Sequence, residues 1–595
     1  MAARWSDAGT TMGRRLSAIL GRLGIIMAYP VVVLLVAVTL WLPCLIIQVL
    51  PVPPSLRARG TYALRARLWN LIATAKFRGN KPKHIPIPGR LAWWRWTLVF
   101  LLGKSLTPID RVPLNRVFPD IPISNIKMAG HEPADEWDAA MKFFTWVQVT
   151  LYRLFSPMQA GLPQIDADPY AALGKAYTDR HRKLFEPPVM PLECQGSPDL
   201  GALAVKGPYA GYLQKCGHGG YEWDFTELAA RNPRDPTKEV YEHHPGLYTL
   251  GVRVLFHVHE KSRTVQPIQI ESELGVTKTE DRQWALAKRL AVCAATNHLS
   301  LVRHFNGVHL SSAAHIAIAT RNHLFPDHPL GRLLWPYIFR TQSSNRAVTR
   351  AQMVKGGDFD SIFSFTHAGM CELFSRTYRQ YRFSVNDPEQ DAADRGINKA
   401  EFDTPTQDDL QSLFELFYRH AEQYIDLYYK TDSAFQTEPG KPVLKWLDEL
   451  NDPDHGLPNG VPTTSHTLSK QGLARLLAGI MYLVTVHHDM VGSFLWNYQL
   501  WAHTQPPRLY RDGRRLPWDV YQRLVNANFN LNVRRTELMN DYTYIVSNKS
   551  GQHGAAKQVI RELQERLADW EDRWRSEPWH VWRVYPGMLE VNINA

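Results

Sequence analysis

Stretches in which apolar residues recur every three or four positions dominate the second half of the chain. They are clearest in residues 281–310, 465–495 and 554–577. This period is typical of α-helices that turn an apolar stripe toward a core. Residues 247–273 differ, because β-branched residues occur there in short runs that favour two strands. The pattern therefore predicts a mainly α domain with a minor β-sheet.

The N-terminal part of the chain has another pattern. Residues 24–50 form an apolar run without any charge, and this run is longer than the roughly 20 residues that span a bilayer as a helix. We predict a transmembrane or re-entrant anchor here, since Pro30 and Pro43 could bend the segment into a hairpin. A buried core helix is the alternative. Residues 91–106, rich in Trp and interrupted by Arg95, fit either an interfacial segment or an ordinary amphipathic helix.

These patterns divide the chain into three parts. We expect a tail and anchor in residues 1–50, a basic linker with the interfacial segment in 51–130, and the helical domain in 131–595. The anchor predicts that the protein is membrane-associated and that membrane lipid is one of its partners.

Composition and charge narrow the classes of function. The chain of 595 residues is 45% hydrophobic, so it can build a large core. Lys and Arg outnumber Asp and Glu by 68 to 57, which fits an anionic membrane surface or an acidic ligand. No zinc-finger or RNA-binding signature accompanies this charge, so we expect no nucleic-acid partner. The five cysteines form no C-x-x-C pair, which argues against a disulfide scaffold or a cysteine zinc site.

Histidines are concentrated in residues 303–329, RHFNGVHLSSAAHIAIATRNHLFPDHP, where the apolar pattern is that of a buried helix. A buried histidine is costly unless both ring nitrogens are satisfied. His304 and His309 are separated by four residues, and on an ideal α-helix their side chains would point about 140° apart. A π-type widening places residues i and i+5 on one face. We therefore predict such a widening between about residues 300 and 316.

A third histidine could join this pair from a later apolar helix, which carries His487 and His488. Three neutral imidazoles from two helices would make a transition-metal site. The spacing is not the H-E-x-x-H of zinc peptidases. His257 and His259 alternate on a predicted strand and could also hold a metal, but a solvated strand face is the preferred interpretation.

The motifs around the histidine pair resemble the lipoxygenase family. The resemblance consists of WALAK (284–288), sixteen steps from Lys288 to His304, H-x4-H, IAT (318–320), HPL (328–330) and LLWP (333–336). On the later helix, HDMVG (488–492) is similar to the family pattern H-A-A-V-N. Together these motifs extend the resemblance over residues 247–595.

The resemblance implies a set of site residues. In that family two helix histidines, a later histidine and the terminal carboxylate bind one non-haem iron. The matching positions here are His304, His309, His488 and Ala595. Ala595 stands where the family usually has Ile, but its main-chain carboxylate is still available. Gly492 occupies the position of an Asn that often forms a weak ligand, so water could fill that place. Thr349 is the candidate for a position that influences the hand of oxygenation.

The end of the chain fits this expectation. The tail MLEVNINA (588–595) is uncharged after Glu590, unlike the frayed polar ends of most chains. Such a tail can thread into a core, where its terminal carboxylate would be a buried charge in need of a partner. An iron held by the histidines would be that partner.

The resemblance also implies a fold and a reaction. We expect a large lipoxygenase-like helical catalytic domain that dioxygenates polyunsaturated fatty acids with iron and O2. A hydrogen atom leaves the doubly allylic CH2 of a cis,cis-pentadiene, and O2 adds to the carbon radical to give a hydroperoxide. No side chain is expected to act beyond the hydroxide that the iron carries. Two alternatives remain open: a membrane-tethered lipid-binding protein of this fold without oxygenase activity, and a hydroperoxide-converting enzyme of the same fold.

Overall fold

The computed structural model describes residues 111–114, 126–129, 191, 193 and 196–593. Within the last range the gaps are 218, 325–327, 339–340, 342–344, 346–347, 350–351, 439, 493–495, 518, 522, 525–526, 528–537, 540–541, 548–549, 575–576, 578–579 and 592. The predicted anchor and the segment 91–106 lie outside the described residues. Of the helices that are described, none is long and apolar enough to cross a membrane.

Helices form most of the described chain, which confirms the prediction of a largely helical fold with a small sheet. The α-helices are Leu200–Val205, Trp284–His298, Ala314–Ala319, Pro329–Ile338, Asp358–Ile362, His367–Gln380, Pro388–Asp394, Pro405–Tyr428, Lys441–Leu450, Lys470–Tyr482, His488–Val491, Trp496–Gln499 and His553–Asp572. Three π-helical segments are Leu299–Ala313, Thr320–Leu324 and Leu483–His487. Short 3-10 turns are Gly207–Tyr212, Thr226–Ala229, Phe383–Asn386, Asp432–Gln436, Thr543–Ile545 and Pro586–Met588.

In the part of the chain that the structure describes, the strands form one five-stranded antiparallel sheet and two ribbons. They are β1 (Arg111–Pro113), β2 (Lys127–Ala129), β3 (Gln214–Lys215), β4 (Tyr221–Asp224), β5 (Arg231–Asn232), β6 (Asp235–Glu239), β7 (Arg253–His259), β8 (Thr264–Ser272) and β9 (Gly275–Lys278). The sheet has the order β3-β4-β7-β8-β9, and β1-β2 and β5-β6 pair separately. The two strands predicted in 247–273 are β7 and β8. The other strands of the sheet have two to four residues, too few to show a period of two in the sequence.

The sheet is held closely against the first described helix. Gly201 lies where a Cβ would come within 2.2 Å of the carbonyl oxygen of Val265 on β8. Only glycine permits this approach of helix to strand. The ribbon β1-β2 lies within the stretch that we assigned to the linker, and its neighbours Leu114 and Ile126 are fully buried. At least this part of 51–130 is therefore packed against the helical body.

The helical core centres on Pro405–Tyr428, which packs against Lys470–Tyr482 on one side and His553–Asp572 on another. Two long composite helices carry the predicted histidines. We call residues 284–324 the first histidine helix and residues 470–491 the second histidine helix. Each changes from α to π geometry within the core, and each contacts the other through its π-helical part.

Candidate metal centre

The first histidine helix widens where the spacing of its histidines requires it. The π-helical segment Leu299–Ala313 begins one residue before the predicted window of about 300 to 316 and otherwise lies within it, so the prediction is confirmed. The wider turn is supported locally, because the hydroxyl of Ser312 donates to the carbonyl oxygens of Gly307 at 2.7 Å and Val308 at 3.0 Å. Such side-chain bonds satisfy carbonyls that a change of helical ladder disturbs.

A buried amide fastens the same segment to its neighbour. Asn306 lies between the two histidines, and its Nδ2 donates to the carbonyl oxygen of Phe374 at 2.9 Å and to Oγ1 of Thr377 at 2.6 Å. Both partners belong to the helix His367–Gln380. The unusual geometry is thus held by tertiary contacts as well as by local ones.

The widening brings three imidazoles together. Nε2 of His304 and Nε2 of His309 are 3.2 Å apart. The ring of His488 lies 5.1 Å from that of His304 and 5.3 Å from that of His309, between centroids. One nitrogen from each ring lies within 4.8 Å of the other two, and each residue is 1% exposed. Among the described residues this is the one group of three that could hold a metal ion.

The electrostatics keep these rings neutral. Burial lowers the pKa of His309 and of His488 to about 3. Burial also lowers the pKa of His304 well below its usual range, with smaller contributions from the rings of His309, His488 and His487. A metal binds the deprotonated imidazole, so the ligand form is the one that the protein interior favours.

The residues present fit a bound metal ion. Both ring nitrogens of His488 are buried without a hydrogen-bond partner, and Oδ1 of Asp489 lies 3.4 Å from Nδ1 without forming a hydrogen bond. Burying an imidazole without hydrogen bonds costs free energy unless another partner, such as a metal ion, binds its lone pair. A three-nitrogen donor set with additional oxygen ligands suits a first-row transition metal.

His309 is oriented by Asn345, a residue that the sequence analysis did not find. Nδ2 of Asn345 donates to the carbonyl oxygen of His309 at 2.9 Å, so Oδ1 faces Nδ1 of His309, also at 2.9 Å. Because an amide oxygen can only accept, Nδ1 carries the proton and Nε2 keeps its lone pair for the centre. No local sequence pattern links the two residues, which are 36 positions apart.

Thr349 supports this arrangement from the next turn. Its hydroxyl donates to the carbonyl oxygen of Asn345 at 2.8 Å, and its side chain is fully buried. The structure therefore places Thr349 behind the residue that orients His309. Its influence on the hand of oxygenation stays a prediction.

Gly492 lies directly against the centre. A Cβ at this position would lie 2.8 Å from Nε2 of His304 and 2.9 Å from the carbonyl oxygen of His488. Any side chain at 492 would therefore displace the first imidazole. The position that we expected as a weak ligand supplies no side chain, and its backbone takes the space beside His304.

The other candidate histidines are used differently. Nδ1 of His487 is 2.8 Å from Oδ1 of Asn386, so this ring is engaged away from the centre and His488 is the residue that joins it. His257 and His259 are both exposed on β7 and lie outside the three-histidine group. The preferred interpretation of that pair, a solvated strand face, agrees with the structure.

The tail runs into the interior near His488. Leu589, Val591 and Ile593 are fully buried, which agrees with the expected threading of the apolar tail. The backbone N–H of Glu590 donates to Oδ2 of Asp489 at 2.8 Å. Ala595, the predicted fourth ligand, lies outside the described residues.

A small apolar pocket opens beside His304. Its walls include Phe305, Phe359, Ile362 and Leu524, and its polar groups come from Ser300, Gln352 and Gln499. Nε2 of Gln499 donates to the hydroxyl of Ser300 at 2.5 Å. The pocket has room of about 20 Å³ for a water-sized molecule, and apolar side chains adjoin the nitrogen cluster on this side.

Comparisons with known proteins relate the chain to one family. The sequence matches the family model for lipoxygenases over residues 257–522. It is 30% identical over 335 residues to polyunsaturated fatty acid lipoxygenase ALOX15 of Bos taurus, covering 52% of this chain and 48% of that protein. It is 26% identical over 226 residues to ALOX12 of Mus musculus, covering 38% of this chain and 33% of that protein. The chain thus spans between a third and a half of the length of these two relatives.

Solved structures share the fold. The coral 8R-lipoxygenase superposes with a TM-score of 0.59 at 15% identity, covering 78% of this chain and 75% of that one. A LOX variant in complex with arachidonate superposes with a TM-score of 0.61 at 16% identity, covering 77% of this chain and 74% of that one. The fold is that of a lipoxygenase, with a buried centre of three histidines. Residues 257–522 match the lipoxygenase family, and the comparisons together support a divergent member of that family.

Proposed function

We propose that the protein is an iron-dependent dioxygenase that converts polyunsaturated fatty acids to hydroperoxides. The observation that carries the proposal is the group of three buried, neutral imidazoles held by two π-widened helices. The relatives named above are polyunsaturated fatty acid lipoxygenases, and one structural neighbour holds arachidonate. These likenesses support the substrate class.

In this proposal His304, His309 and His488 hold the iron, and the terminal carboxylate of Ala595 completes the set. When bound, the iron would supply the one-electron oxidant for removal of a hydrogen atom. Asn345 keeps the proton of His309 on Nδ1, away from the metal. Gly492 contributes no side-chain ligand, and its backbone lies close beside His304.

The pocket beside His304 would receive the reacting part of the acyl chain. Its space holds only a water-sized molecule, so the pocket would have to widen to admit a pentadiene segment. Its aromatic and aliphatic walls would then exclude water from a carbon radical. One C–H bond of the doubly allylic CH2 breaks, the double bonds move into conjugation, and one new C–O bond forms with O2. The resulting peroxyl group regains a hydrogen atom, so substrate and O2 together account for all atoms of the hydroperoxide.

Membrane association remains part of the proposal. The apolar run of residues 24–50 would hold the protein at a bilayer, where fatty acids and acyl lipids concentrate. Alkaline carbonate washing of membranes from expressing cells tests this directly. Full-length protein should stay in the pellet, and its release into the supernatant would contradict an integral anchor.

One experiment tests the central proposal. The purified full-length protein should contain about one iron per chain, and incubation with linoleate and O2 should produce the ultraviolet absorbance of a conjugated diene. The variant His488→Ala should lose both. A protein without iron, and without activity after iron is added, would contradict the assignment.

Gly492 favours a second candidate for the reaction. Because the centre lacks a side-chain ligand at this position, an enzyme of the same fold could instead convert hydroperoxides. In the same assay that enzyme would contain iron and consume a fatty-acid hydroperoxide, but would form no diene from linoleate. A lipid-binding protein of this fold would contain no iron.

A further inference from the structure

Asp489 is an acidic residue in an unusual place. It directly follows His488 on the second histidine helix and is 1% exposed. The family pattern noted above has alanine at this position, so a carboxyl group is not needed for the helix itself. Burying a carboxyl group is costly unless polar partners receive it. Its partners therefore indicate what it does.

The carboxyl group of Asp489 lies next to both the C-terminal tail and the metal centre. Its Oδ2 accepts the backbone N–H of Glu590 at 2.8 Å. Its Oδ1 lies 3.4 Å from Nδ1 of His488. Glu590 is itself 2% exposed and is flanked by the fully buried Leu589 and Val591. The contact therefore lies within the core and links residues that are 101 positions apart.

Two other described contacts lie at the start of the tail or before it. The carbonyl oxygen of Leu589 accepts the N–H of Leu538 at 2.8 Å. Arg583 forms a buried ion pair with Asp409 at 2.7 Å. Both contacts hold the approach to the tail, but neither reaches the second histidine helix. Asp489 supplies a hydrogen bond that connects the tail to the turn that carries His488.

We propose that Asp489 is a positioning residue that fastens the C-terminal tail to the second histidine helix and orients the imidazole of His488. The inference rests on the proposed function in that it takes His488 as a metal ligand. It goes further, because it makes docking of the tail and assembly of the nitrogen cluster depend on the same side chain.

The test uses the full-length protein and three variants. Asp489→Ala removes both contacts. Asp489→Asn keeps an oxygen that can accept the N–H of Glu590 but removes the second carboxyl oxygen. Asp199→Ala is the matched control, since Oδ1 of Asp199 likewise accepts a backbone N–H, from Ala202 at 3.0 Å, at a remote helix start.

Two measurements distinguish the role of Asp489 in docking the tail from its role in orienting His488. Hydrogen exchange of the C-terminal peptide reports docking of the tail, and titration of the metal-free protein with Co2+ reports the affinity and visible spectrum of the centre. Asp489→Ala should raise exchange of the tail at least about tenfold and weaken Co2+ binding about 10- to 100-fold, as loss of a supporting contact does at metal sites. Asp489→Asn should restore protection of the tail while its Co2+ spectrum still differs from that of the wild type.

The outcomes distinguish a failure of the inference about Asp489 from a failure of the proposed function. If Asp489→Ala leaves both the tail exchange and the Co2+ spectrum at wild-type values, the inference is wrong. It is also wrong if Asp199→Ala produces the same changes. If Asp489→Ala does not fold, Asp489→Asn decides: wild-type values in both measurements overturn the inference. A wild-type protein that binds neither Co2+ nor iron would instead contradict the proposed function, whatever the tail does.

Discussion

Two buried histidines, His315 and His488, differ in hydrogen bonding and not in burial. His315 is 1% exposed, and its ring contacts the hydroxyl of Tyr378 at 2.9 Å and the carbonyl oxygen of His455 at 3.2 Å. His488 is equally buried, but neither of its ring nitrogens has a hydrogen-bond partner. The comparison shows that burial alone does not identify a metal ligand. At His488 the informative feature is that the protein leaves both ring nitrogens without a hydrogen-bond partner.

The first prediction has the largest expected effect and concerns the loss of one imidazole from the metal centre. We predict that His304→Ala abolishes stoichiometric iron binding and diene formation, because two imidazoles remain where three are needed. The matched change His315→Gln should keep the iron and lower the free energy of unfolding by about 1–3 kcal/mol, the cost of disturbing buried hydrogen bonds. Metal analysis and chemical denaturation measure the two effects. Loss of iron from His315→Gln but not from His304→Ala would reverse the roles assigned to these two histidines.

The second prediction concerns the support of His309. Asn345→Ala removes the amide that fixes the tautomer of His309, so metal affinity should fall about 10- to 100-fold. Asn345→Asp retains an acceptor for Nδ1 and should recover most of that loss. Titration of the metal-free variants with Co2+ gives the affinities.

Asn297 offers a control of equal burial. Its amide donates to the carbonyl oxygens of Cys293 and Pro507 and accepts from the N–H of Ser364, away from the nitrogen cluster. Asn297→Ala should lower stability without changing the affinity for Co2+. If both alanine variants weaken Co2+ binding equally, Asn345 has no specific role at the centre.

The third prediction sharpens the role of Gly492. Gly492→Ala adds a Cβ that would lie 2.8 Å from Nε2 of His304, and relief of such overpacking typically costs about 1–3 kcal/mol. We expect a lower thermal midpoint and a changed Co2+ spectrum. Gly551→Ala is the control, because a Cβ there would meet nothing within 4 Å. An unchanged spectrum in Gly492→Ala would mean that His304 tolerates a side chain beside it.

The sequence predicted the features that depend on local spacing. The interval between His304 and His309, in apolar surroundings, required a widened helix, and the structure has one. The pattern HDMVG indicated His488 over His487, and the structure brings His488 to the pair. Their role as iron ligands, and that of Ala595, remain predictions.

Features that depend on contacts between distant segments could not be predicted. Asn345 reaches His309 across 36 positions, and Asp489 reaches Glu590 across 101. Neither pair has a fixed spacing, because tertiary packing and not helical period brings them together. The closeness of Gly492 to His304 is likewise a property of the packed core.

The smallest expected effect returns to the histidines that are not at the centre. Burial lowers the pKa of His420 to about 4, although its ring bonds to the carbonyl oxygen of Val559 at 3.2 Å. The unfolded chain has a histidine pKa near 6.5 and therefore binds more protons than the folded protein between about pH 4 and pH 6.5. The contribution of neutral His420 to the free energy of unfolding is thus present above about pH 6.5 and is lost as the pH falls from there toward about 4.

This loss can be measured by comparing two proteins. Between pH 7.5 and pH 6, protonation of the unfolded histidine should cost the wild type about 1 kcal/mol that His420→Gln does not lose. The glutamine amide can still donate to Val559, so the variant removes the titration and keeps the bond. Denaturant unfolding of the metal-free proteins at the two pH values gives the difference. If the stability gap between wild type and variant does not change with pH, His420 does not remain neutral in the folded core.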